Sequence, residues 1–133
     1  MEILNSDALP SVQAPSEYFT GTVWLDQIAV ATAPSGVRVV RVTFEPGART
    51  AWHTHSFGQV LHVLAGVGRV QTAGEPVRTV KPGDTVLIKP GERHWHGAAP
   101  RFTMVHLAVQ RAGEDGKDVV WSEHVTEAEY HAT

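Results

Sequence analysis

Apolar residues along this chain come in short runs, each closed by glycine, proline or small polar residues. The runs are Val23–Leu25, Val37–Phe44, Val60–Leu64, Val67–Gln71, Val77–Val80, Thr85–Ile88, Phe102–Gln110 and Val119–Trp121. The breakers between them include Pro34-Ser35-Gly36, Pro46-Gly47, Ala73-Gly74, Pro82-Gly83-Asp84, Pro90-Gly91 and Gly113–Gly116. Valine dominates the runs, and β-branched residues suit a pleated, half-buried surface. Strands of this length at this spacing predict an all-β sandwich or barrel. Residues 1–17 are polar and interrupted by Pro10 and Pro15, and read as an arm or loose strand ahead of a barrel over 18–125. The one helical signal is Thr126-Glu127-Ala128-Glu129, a capping box that opens a short helix over 126–133. At 133 residues the chain suits a single domain with its own core.

Strand alternation assigns faces. Residues of one parity share a side, so His94 and His96 point the same way. Phe102, Met104, His106, Ala108 and Gln110 form one such set, and Val40, Val42 and Phe44 another. His62 has the opposite parity to Gln59 and reads as packing or interface.

Composition narrows the chemistry. There is no cysteine, which removes disulfides, thiolate metal sites and thiol nucleophiles together. The formal charge of −3 offers nothing to a nucleic-acid backbone. No stretch approaches the roughly 20 apolar residues that span a bilayer, and the N-terminus lacks the pattern of a signal peptide. Cytoplasmic residence is the expectation. Histidine is the informative count. There are eight, and His53, His55, His62, His94 and His96 fall close together in sequence. Histidine is both the commonest metal ligand and the usual acid–base residue near neutral pH.

His53-Thr54-His55 places two imidazoles on one face of an extended segment, about 6–7 Å apart at Cα, close enough to converge on one ion. Gln59 follows after Ser56-Phe57-Gly58, and His94 would arrive across the barrel. Nitrogen and oxygen ligands of this kind leave open positions on an octahedral ion such as Mn²⁺ or Fe²⁺. Around them runs a frame, Gly47-x5-His53-x-His55-x3-Gln59-x6-Gly66, then Pro82-Gly83-Asp84-x5-Pro90-Gly91-x2-His94.

This frame resembles the two motifs of the cupin family. Gln59 stands where most cupins carry glutamate, the proline–glycine pair of the second motif is shifted, and its terminal asparagine is absent. The resemblance implies a double-stranded β-helix, or jelly-roll barrel, with a metal held inside by His53, His55, Gln59 and His94. A narrower likeness is carried by Phe19–Val23, Val42–His55, Gly91–Pro100 and Trp121–Thr126. These segments look like the small bacterial cupin hydroxynitrile lyases, in which glutamine also fills the fourth ligand position. That likeness implies Mn²⁺, with Fe²⁺ next. It also implies reversible cleavage of (R)-cyanohydrins such as mandelonitrile into an aldehyde and hydrogen cyanide.

A neutral amide in place of a carboxylate leaves the ion's charge uncompensated, which favours Lewis-acid chemistry over redox turnover. Cyanohydrin cleavage needs a proton moved from a hydroxyl, and His96 and His106 are the candidates. Each also reads as a satisfied core histidine. Thr50 is either a substrate-binding hydroxyl or a turn residue. Val40, Val42, Phe44, Met104 and Ala108 are expected to line an apolar pocket, with Gln110 at its rim. Trp52, Phe57 and Trp95 read as packing, and His124 and His131 as solvated. The alternatives are a metal-dependent dioxygenase or other oxidoreductase on the same site, and a cupin that binds a small ligand without turnover. The expected partners are a small-molecule substrate and a second copy of the chain, as a homodimer or homotetramer, with neither nucleic acid nor membrane.

Overall fold

The structure is a computed structural model that describes residues 1–30, 36–113 and 117–133. The turns expected at Pro34-Ser35 and at 114–116 lie outside the described residues. Strands dominate: β1 (Val12–Gln13), β2 (Phe19–Thr20), β3 (Val23–Val30), β4 (Val37–Phe44), β5 (Arg49–Thr50), β6 (His53–His55), β7 (Gln59–Gly66), β8 (Gly68–Thr72), β9 (Arg78–Val80), β10 (Thr85–Ile88), β11 (His94–Ala98), β12 (Met104–Arg111) and β13 (Val119–Trp121). One helix, α1 (Glu127–His131), follows. Among the described residues no helix is long and apolar enough to cross a membrane.

The strands form two curled sheets. One has the order β1-β3-β4-β12-β7-β10, and the other runs β13-β6-β11-β5-β2 with the β8–β9 hairpin attached to β11. All these pairings are antiparallel, so side chains opposite one another share a face. On β4 and β12, Met104 faces Phe44, His106 faces Val42, Ala108 faces Val40 and Gln110 faces Arg38. This is the inward set expected from parity, except that Phe102 precedes the strand and is exposed.

Between the sheets lies the main core of Val23, Val42, Phe44, Ala48, Leu61, Val63, Met104 and Ala98, with neighbours. A smaller cluster of Trp52, Trp95, Val125 and Tyr130 sits beneath the helix. The helix opens on the expected capping box, with Thr126 accepting from the Glu129 backbone and Glu129 reaching back to the Thr126 backbone. The N-terminal arm contributes an edge strand, since Val12 and Gln13 pair with Leu25 and Trp24.

Candidate metal centre

His53 and His55 stand on β6, Gln59 opens β7, and His94 and His96 stand on β11. His53 lies directly opposite His94. The turn between His55 and Gln59 depends on Gly58, whose φ of +74° favours glycine. A Cβ there would also sit 2.6 Å from the Ile88 carbonyl oxygen. Gly58 therefore lets β10 close against the turn while both flanking ligand candidates face inward.

All five residues are buried. The His53 and His94 rings lie 4.2 Å apart by centroid, His53 and His55 5.0 Å, and His55 and His94 5.5 Å. Ring nitrogens of His53, His94 and His96 all lie within 4.8 Å of one another. The tightest trio therefore includes His96, while His55 stands slightly further out.

Hydrogen bonding sorts the donor atoms. The Nδ1–H of His53 donates to the Ala51 carbonyl at 2.9 Å, and that of His94 to the Glu92 carbonyl at 2.8 Å. In both rings this turns Nε2 into the free lone pair, the way metal-binding imidazoles are commonly fixed. Gln59 donates its Nε2 to Gln110 Oε1 at 2.7 Å, which leaves Gln59 Oε1 buried without a partner. Both ring nitrogens of His55 and the Nε2 of His94 are likewise buried and unpartnered. Buried polar atoms without partners are costly, so a group of them facing one spot is what an ion-binding site requires. The donor set of imidazole nitrogen and amide oxygen fits a divalent first-row ion.

Behind the cluster, His106 Nε2 and His96 Nδ1 are hydrogen-bonded at 3.0 Å. Both are buried, and Phe44 packs against both rings. Burial holds the His106 imidazole down at about 4, and burial with the neighbouring His106 and His53 holds His96 well below its ordinary value. Burial and the adjacent His94 lower His55 to about 4 and push His53 well down. The site is therefore a set of neutral imidazoles at neutral pH, with lone pairs free to ligate and burial opposing a lasting positive charge on any ring. Thr50 is buried beside them, its hydroxyl accepting from the His96 backbone N–H at 3.2 Å.

A chamber of about 430 Å³ opens on this centre. Thr50, His53, His55, Gln59 and His96 form its polar side, with Val40, Val42, Ala108 and Gln110 opposite. Phe44 and Met104 do not line it. They sit at the closed, fully buried end of the same strands, where they pack the core instead. Tyr18, Phe19, Leu25, Arg38, Asp118, Val119 and Trp121, none of them expected in the pocket from the sequence, complete the chamber wall. Trp121 stacks 4.5 Å from His53 by ring centroid, and β13 brings it there by pairing with β6. Nothing local marks these residues, because their role depends on which edges the sheets present. His62 faces outward and pairs with Thr85 Oγ1 at 2.9 Å. Trp52 and Trp95 are buried packing, whereas Phe57 is exposed under the Arg111 guanidinium.

The cupin domain family matches residues 40–109. The chain is 52% identical to a protein of Granulicella tundricola named (R)-mandelonitrile lyase, over 98% of each chain. Among solved structures it is similar to a cupin-like protein of Thermotoga maritima, at 38% identity and a TM-score of 0.83, across 98% of this chain and 95% of that one. A cupin-2 domain protein of Rhodospirillum rubrum shares the fold at a TM-score of 0.74 and 18% identity, across 96% of this chain and 82% of that one.

Proposed function

The chain belongs to the cupin domain family, and from that premise we propose that it is a hydroxynitrile lyase cleaving (R)-cyanohydrins such as mandelonitrile into aldehyde and hydrogen cyanide. Full-length likeness to an (R)-mandelonitrile lyase supports the activity. The observation in the site that carries the reading is the set of unpartnered, uncharged nitrogen and oxygen atoms in the barrel interior, of which those of His55, Gln59 and His96 belong to residues that line a chamber with an aliphatic wall. An oxygen-activating cupin site with a carboxylate ligand would differ at Gln59.

One divalent metal, Mn²⁺ before Fe²⁺, is assigned to His53, His55, Gln59 and His94. Bound there, it supplies Lewis-acid stabilisation of the substrate oxygen. His96 is close enough to ligate and its Nε2 is unpartnered, but it is given the proton chemistry because its Nδ1 bonds a second titratable ring, His106, where the Nδ1 atoms of His53 and His94 bond backbone carbonyls. In that pair one ring nitrogen must donate and the other accept, so a proton taken up at one ring can be balanced at the other. The hydroxyl proton goes to this pair as the carbon–carbon bond breaks. The bond's electron pair leaves with cyanide, which is protonated on departure. Thr50 orients the substrate hydroxyl from the chamber wall. Val40, Val42 and Ala108 hold the aldehyde's apolar group.

The chain works as a single cupin domain in the cytoplasm, as a homodimer or homotetramer. Benzaldehyde release from (R)-mandelonitrile by Mn²⁺-loaded protein tests the central claim. A rate no higher than that of the metal alone refutes it.

A further inference from the structure

The barrel holds a second chamber, of about 350 Å³, on the other side of the histidine cluster. Strand register explains where it lies. Val70 is opposite His96 and Thr72 opposite His94, while Val86 is opposite Leu61 and Ile88 opposite Gln59. These residues share the inward faces of their strands, and the space between them is the remaining half of the barrel interior. Its deep wall is aliphatic, from Leu61, Val70, Val86 and Ile88, and it ends on His94 and His96. Its mouth lies at the β8–β9 hairpin, between Glu75, Arg78 and Glu92.

His96 is the residue, among those described, that lines both chambers. It is 4% exposed, and its Nε2 has no partner. A molecule released beside this ring therefore borders two spaces of different character. The first is the larger and carries aromatic walls. The second is smaller, with an aliphatic deep wall, Trp95, Gln71 and Thr72 beside it, and two carboxylates against one guanidinium at its mouth. That charge balance disfavours an anion and admits a neutral molecule.

We propose that the second chamber is a separate passage for the small product, hydrogen cyanide, while the aldehyde uses the first chamber. This rests on the lyase reading. Cleavage gives two products of very different size, and the chemistry already described sends cyanide out in its neutral, protonated form. With two passages neither product must wait for the other.

Two substitutions fill the passage from opposite walls, Val86→Trp and Val70→Phe. Val40→Phe fills the first chamber as the control. In the synthesis direction, we expect kcat/KM for hydrogen cyanide to fall about 10-fold in the passage variants, with KM for benzaldehyde within about twofold of wild type. Val40→Phe is expected to do the reverse. Xenon-pressurised crystals give a second readout, because xenon settles against apolar walls such as the aliphatic end of the second chamber. Wild-type crystals should show a xenon site between Val70 and Val86 that either substitution removes. Absence of that site in wild type overturns the passage. So do unchanged cyanide kinetics in a variant that has lost the site. A wild-type protein without lyase activity refutes the lyase reading, and the assignment of the passage to cyanide falls with it.

Discussion

Two parts of this molecule bury large side chains with polar tips, and they treat those tips in opposite ways. Beneath the C-terminal helix the polar atoms find partners. Trp95 Nε1 donates to Gln71 at 2.8 Å, Trp52 Nε1 to Glu129 at 3.3 Å, the Tyr130 hydroxyl to the Ala98 carbonyl at 2.6 Å, and Arg49 Nη2 to the Val125 carbonyl at 2.9 Å. Of this group only Arg49 Nε lacks a partner. In the barrel interior, by contrast, His55, Gln59, His94, His96 and His106 each leave at least one buried atom unpaired. An unpaired buried polar atom costs roughly 1–3 kcal/mol, so the two regions differ by several such costs. The satisfied cluster holds the helix on the barrel. The unsatisfied one has traded stability for a place where an ion can bind.

The contrast breaks most visibly if the ion's place is emptied. His94→Ala removes the unpartnered Nε2 and its fixed tautomer, and should leave lyase activity at the metal-only background while metal content falls in elemental analysis. A His94→Ala protein that keeps its metal and its rate would show that the unpaired atoms are not ligands. The proton pair comes next. His106→Leu roughly keeps the volume and removes both ring nitrogens from a fully buried position, so the fold should persist. General acid–base contributions run to about 10²–10⁴-fold, and we expect kcat to drop by about 10² with metal content unchanged. An unaltered kcat would make His106 a core histidine.

Acid should separate the two regions in the metal-free protein. Burial holds the His55 and His106 imidazoles at about 4, against an ordinary value of 6.5. Between those values the unfolded chain binds protons that the folded interior refuses. Stability should therefore fall as pH drops from 6.5 toward 4, and this contribution levels off below 4. Each group accounts for at most about 3 kcal/mol, from about 1.4 kcal/mol per pKa unit. Urea melts of the metal-free protein across that range measure the slope, and a flat profile would show the histidines to be solvated. A smaller effect is expected at Gln110, whose Oε1 orients the Gln59 amide. Gln110→Leu should weaken metal affinity about 10-fold, the lower end for a group that holds a ligand in place. Chelator competition reads it directly.

Much of this was legible in the chain. Strands β4, β10 and β13 lie where the apolar runs end on their breakers, and the capping box fixed the helix. The short pairs β2 and β5 were not visible, because two residues carry no period and exist as strands only through their partners. In the site, parity placed His96, His106, Val42 and Ala108 inside. Parity could not tell how far along the strand the chamber reaches, so Phe44 and Met104 went to the pocket when they belong to its closed end. Trp121 and Asp118 enter through a sheet edge some 60 residues from β6 in sequence, a distance no local pattern spans.

The smallest effect tests the satisfied side of the comparison. The Tyr130 hydroxyl donates to the Ala98 carbonyl, next to Gly97 on the strand that carries His94 and His96. Its ring packs on Trp95 and under the Arg49 guanidinium, 4.4 Å from the centroid. Tyr130→Phe keeps these ring contacts and removes one hydrogen bond. A typical bond of this kind contributes about 1 kcal/mol net, so the unfolding free energy from urea melts should fall by about that much and no more. If the cluster only holds the helix, kcat and metal content should stay at wild-type values. A fall in kcat with the metal retained would mean that the Tyr130–Ala98 bond also sets the position of β11, and through it His96. The two regions would then be coupled along a single strand, and the line between structural and chemical polar groups would run through β11 and not between the clusters.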